Sequence, residues 1–104
     1  MAESALEGFR QSLADPAPHP GLGRAIAALW WAGKPDWDRA HGVAQQDEAD
    51  PACNWVHAHL HRVEGDATNA AYWYGLAGKP VATEPLDAEW QTIATALLGK
   101  PVSS

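Results

Sequence analysis

A single cysteine, Cys53, leaves nothing to pair with inside the chain, so no disulfide framework holds this fold and a reducing compartment suits it. Placed early in a helical stretch, Cys53 reads as a small buried apolar group rather than a nucleophile. No apolar run approaches the ~20 residues needed to cross a bilayer, and the opening Met-Ala-Glu-Ser-Ala-Leu-Glu has neither the basic start nor the apolar core of a signal peptide. The expectation is a soluble cytoplasmic protein with no membrane partner. Bases are scarce, seven against thirteen acids for a net charge of −6, and they stand singly at Arg10, Arg24, Lys34, Arg39, Arg62, Lys79 and Lys100. Without a basic cluster to track phosphates, nucleic acid is not an expected partner.

Strand signals are also missing. Nothing alternates with period two over a strand's length, and no Asn-Gly or Asp-Gly hairpin appears. The positive signals are helical. Leu6, Phe9 and Leu13 are three and four apart between Ala2 and Ala14, where Ser4 and Glu7 have the spacing of a capping box. Asp15-Pro-Ala-Pro-His-Pro-Gly21 then excludes helix, because each proline restricts itself and its predecessor, and His19 within it is a solvated turn residue. Leu22, Ile26, Leu29 and Trp30 form a second apolar stripe. A short helix follows from Asp36 to Gln46, carrying Trp37, Ala40 and Val43 or Ala44. Asp50-Pro51 opens a helix that runs unbroken to Gly65, Asp66 starts its successor, and Glu84-Pro85 opens the last, with Trp90, Ile93, Ala94 and Leu97 on one face.

Three Gly-Lys-Pro triplets, at Gly33, Gly78 and Gly99, close helices with glycine placed for a left-handed cap and proline just beyond. A phosphate loop needs Ser or Thr after the lysine, and none has it. The fold class is therefore all-α, about six helices in one domain of 104 residues. Residues 1–20 hold the first helix and proline-rich linker, 21–81 two helix-turn-helix units, and 82–104 a C-terminal capping helix.

The two central units fall into register at a period of about thirty when Ala40 is aligned with Ala70, and Gly65-Asp66 looks like the turn between paired helices. This resembles the tetratricopeptide repeat, with Ala58 and Ala70 at its small positions, Tyr74 at its large aromatic one and Ala77 one turn on. His57 and His61 stand where that repeat has Leu and Tyr, and the period falls short of its thirty-four. The block Trp-Val-His-Ala-x-Leu-His-Arg-x-Glu-Gly-Asp-x-x-Asn-Ala-x-Tyr-Trp-Tyr from Trp55 is also similar to one in small, functionally uncharacterised bacterial and fungal proteins. That likeness implies a family and no activity.

Three of the five histidines and two of the six tryptophans lie between Trp55 and Tyr74, so a site is expected there. At ~100° per residue, His57, His61 and Glu64 share one face of a helix and His59 points nearly the opposite way. Buried imidazoles most often serve as packing groups that bond a phenol, amide or carboxylate and stack on indole. Beside that reading stand a ligand pocket formed by His57, His61, Glu64, Asn69, Trp73 and Tyr74, and a metal half-site of His57, His61 and Glu64. No His-Glu-x-x-His motif supports the metal, so no cofactor is expected. Trp55, His59 and Arg62 form a second stripe toward the concave face of a tetratricopeptide pair, and aromatic and arginine side chains commonly anchor interfaces. The leading expectation is a non-catalytic helical module for a protein or peptide partner, compatible with homo-oligomers. The alternative is a small-molecule binder or enzyme using the polar groups between the central helices.

Overall fold

The computed structural model describes residues 5–98, all of whose regular elements are helical. They are α1 (Ala5–Gln11) with a 3-10 turn at Ser12–Ala14, α2 (Arg24–Gly33), α3 (Trp37–Ala44), α4 (Pro51–Val63), α5 (Ala67–Ala77) and α6 (Leu86–Leu98). The capping box at Ser4 and the Gly-Lys-Pro stop at Gly99 lie outside the described residues. None of the described helices is long and apolar enough to cross a membrane.

Aspartates start three of these helices. Asp36, Asp50 and Asp66 accept hydrogen bonds from the backbone amides of Arg39, Ala52 and Asn69, relieving donors that the first turn leaves unpaired. Two glycines end helices as expected: Gly65 (φ +86°) after α4 and Gly78 (φ +71°) after α5 are left-handed. Gly33 is different. It remains helical, and a Cβ there would lie 2.9 Å from Trp90 Cζ2 and 3.0 Å from the Leu13 side chain. Its glycine serves close packing of the 3-10 turn and α6 against α2, not a left-handed cap.

The core joins α2, α3, α4 and α6 through Leu29, Trp30, Ala40, Val56, Leu60 and Ile93, with Phe9 of α1 stacked on Trp90 at 5.6 Å. Three indoles have their N–H satisfied inside: Trp30 on Ser12 Oγ, Trp37 on the Leu60 carbonyl and Trp90 on the Leu29 carbonyl. Cys53 is fully buried, and burial, followed by its bond to Asp50, pushes the thiol up to about 12. An inert apolar role follows.

The packing is closest within α4/α5 and α2/α3, the two units placed over 21–81. Along α4 and α5 the contacts run in reverse order, His61 O with Asp66 N, His57 on Trp73 and Trp55 under Lys79, consistent with an antiparallel hairpin. Ala58 and Ala70 meet Tyr74 in a small buried cluster of their own. Ala70→Leu is expected to cost about 1–3 kcal/mol by overpacking this seam. Gly65→Ala, with no atom within 4 Å of the added Cβ, is expected to cost about 1 kcal/mol through its positive φ alone. Urea unfolding measures both, and a parental midpoint for the Leu variant would contradict this helix register.

Candidate metal centre between α3, α4 and α5

His57 is 3 % exposed, and its Nδ1 has no hydrogen-bond partner among the described residues. Leaving a buried polar atom unpaired costs about 1–3 kcal/mol, so the residues around it matter. One helical turn on, His61 stacks on it at 4.9 Å between ring centres, and His41 from α3 meets it edge-on at 4.5 Å. Trp73 of α5 stacks on His57 at 3.8 Å, while Trp37 stacks on His41 at 4.6 Å. Two indoles thus hold imidazoles from two helices in place. One nitrogen from each of His41, His57 and His61 lies within 4.8 Å of the others.

Burial favours the neutral form of His57 and His41. Burial lowers His57 to about 4, with help from His41 and His61. His41 is also lowered, by burial first and then by His61, against the pull of Glu64 and Asp38. A neutral imidazole offers a lone pair, which is what a cation requires. His61 is oriented from outside, its Nδ1 lying 2.6 Å from Glu64 Oε2. An imidazole that donates Nδ1–H to a carboxylate turns Nε2 inward, the arrangement common behind metal-bound histidine.

Comparisons with family models, curated proteins and solved structures each find no match. The geometry alone therefore carries the functional reading.

That geometry divides the expected residues between two sides of α4. His57, His61 and Trp73 come together, with Glu64 behind His61. Asn69 is half-buried at the start of α5, where its backbone amide bonds Asp66. Tyr74 lies on the other side, its hydroxyl donating to Glu89 of α6. Glu89 is 2 % exposed and also receives His59 Nδ1 at 2.7 Å and Arg62 Nη1 at 2.9 Å, while Arg62 Nη2 bonds the Glu84 carbonyl. Burial alone would raise the Glu89 carboxyl, but the bonds from His59, Tyr74 and Arg62 bring it below the usual range. Tyr74 is pushed up, by burial and then by Glu89. Of the three groups expected to face a partner groove, His59 and Arg62 are thus bonded to α6. Trp55 is half-buried beneath Lys79 at 4.3 Å, and Arg62 is half-buried as well.

Two residues of these clusters were not singled out by sequence reasoning. His41 sits on a different helix, sixteen residues before His57, and its only signal is a spacing of four from Trp37. Glu89 had a clearer one: it lies four residues before Ile93, on the face that α6 buries.

Proposed function

We propose that this protein binds one divalent transition-metal ion through His41, His57 and His61, with Glu64 orienting His61. The observation that carries the reading is the unpartnered, buried His57 Nδ1 within a cluster of three imidazoles. A tetrahedral ion with bonds of about 2.0–2.1 Å holds its donors about 3.4 Å apart, so side-chain adjustments of about 1 Å bring the three nitrogens into range. Three borderline nitrogen donors without a thiolate favour Zn, Cu(II) or Ni(II) over Mg or Ca. The fourth position falls to water or another small ligand. Because His41 belongs to α3 and the other two to α4, the ion also ties these helices together. This arrangement favours ion binding over docking of a peptide on the same helices.

Calorimetric titration of tag-free protein with Zn²⁺ tests it. One ion per chain is expected. His57→Phe, which preserves a ring on Trp73, should weaken binding at least about 100-fold, the loss of one ligand from three. Equal affinity in the variant, or no saturable binding by the parent, would remove the proposal.

A further inference from the structure

Helix α5 rests chiefly on α4, and from Ala67 to Ala77 it holds no charged residue, although the chain carries a net charge of −6. Its outer face includes Ala71, Tyr72, Gly75 and Leu76, all exposed. Tyr72 is 61 % and Leu76 46 % exposed, and the Tyr72 ring stands edge-on to Trp73 at 5.3 Å. Single exposed apolar side chains are ordinary, but an uncharged helix face that carries two large ones side by side marks an interaction surface. Gly75 is a second observation at the same place. It stands inside α5, where glycine is disfavoured relative to alanine, and a Cβ there would meet no atom within 4 Å. The packing of the described residues does not call for this glycine; a close approach from outside the chain would.

We infer that this face of α5 pairs with the same face of a second copy of the chain, antiparallel, across a two-fold axis. Ala71, Tyr72, Gly75 and Leu76 are neighbours at i, i+1, i+4 and i+5. A two-fold axis through their centre sets Tyr72 on the Gly75 of the second copy and Leu76 on its Ala71, so each large side chain meets a small one. Charge gives the direction. Asp66 caps the start of α5 and Lys79 follows its end, and both are exposed. Antiparallel pairing brings Lys79 of one copy to the end that carries Asp66 in the other, whereas parallel pairing would set like charges together. An unlike partner would have to match this order of large and small residues independently; a second copy matches it by symmetry. At eleven residues the helix is about 16 Å long, short for a standard interface, so the dimer is weak and exchanges with monomer. The pairing uses none of the three imidazoles and does not depend on an ion.

The test is sedimentation equilibrium of tag-free protein from about 10 μM to about 1 mM, the range in which a weak dimer forms. A metal chelator is present, so that no ion bridges two copies. The mean mass is expected to rise from that of a monomer toward that of a dimer. Gly75→Gln places a side chain where Tyr72 of the second copy would sit, and should weaken dimerisation at least about tenfold. Because glutamine is the better helix former, the dilute variant should unfold at or above the parental temperature. In a sample mixed from isotope-labelled and unlabelled chains, intermolecular NOEs should join the Tyr72 ring to Gly75 Hα and the Leu76 methyls to that of Ala71. A parent still monomeric at the highest concentration would overturn the pairing and leave the face to an unlike partner. Unchanged dimerisation of Gly75→Gln, a lower unfolding temperature for that variant, or intermolecular NOEs that bypass α5 would also overturn it.

Discussion

Glu89→Ala is expected to lower unfolding free energy at pH 7 by about 3–5 kcal/mol, the range for breaking a buried charge network by deleting one partner. The loss has two physical parts. A fully buried side chain is removed from the seam of α4, α5 and α6, leaving a cavity. Three donors, His59 Nδ1, the Tyr74 hydroxyl and Arg62 Nη1, also lose their acceptor in a place water reaches poorly. Glu89→Gln, which retains the shape and one carbonyl acceptor, should cost less than the alanine change. Urea unfolding of both variants decides: an alanine variant within about 1 kcal/mol of the parent would mean that Glu89 is solvated and that α6 is not fastened here.

Lowering the pH of metal-free protein is expected to remove up to about 3 kcal/mol of stability between pH 6.5 and pH 4. His57 has a folded pKa near 4 and a reference value of 6.5. Between those values the unfolded chain binds a proton that the folded chain refuses, so stability falls as pH falls. A gap of about 2.5 pH units at 1.36 kcal/mol each gives the magnitude. His41 is lowered as well and acts in the same direction. Glu89, also lowered, adds its loss only further down, as pH falls below its reference of 4.5. In His57→Phe the first of these slopes should largely vanish and the Glu89 slope remain. Unfolding free energies at half-unit pH steps measure this, and an unchanged slope in the variant would contradict the assignment of the titration to His57.

The helix ends were readable because their causes are local. Asp36, Asp50 and Asp66 cap the residues just after them, and Gly65 and Gly78 follow the residues they terminate. The small positions Ala58 and Ala70 were legible too, since a helix pair joined by a three-residue turn brings nearby residues together. Gly33 shows where this stops. Its glycine is required by Trp90, fifty-seven residues away, and no local pattern distinguishes that need from a left-handed cap. The helical wheel correctly set His57 and His61 on one side of α4 and His59 on the other, but not which helix would cover each side. Consequently His41 and Glu89, the residues that complete the two clusters, were absent from the candidate site. One grouping was avoidable: Trp73 and Tyr74 are neighbours, about 100° apart on α5, and so are poorly placed to face the same histidines.

The most direct measurement of the metal reading is a long-range ¹H–¹⁵N spectrum of the histidine rings in protein loaded with one equivalent of Zn²⁺. Coordination should move one ring nitrogen each of His41, His57 and His61. At His61 the shifted atom should be Nε2, with Nδ1 still protonated toward Glu64, while His19 and His59 stay where they were. Perturbation confined to His61 with the exposed Glu64 and Asp66 beside it, or no perturbation of His57, would contradict the account.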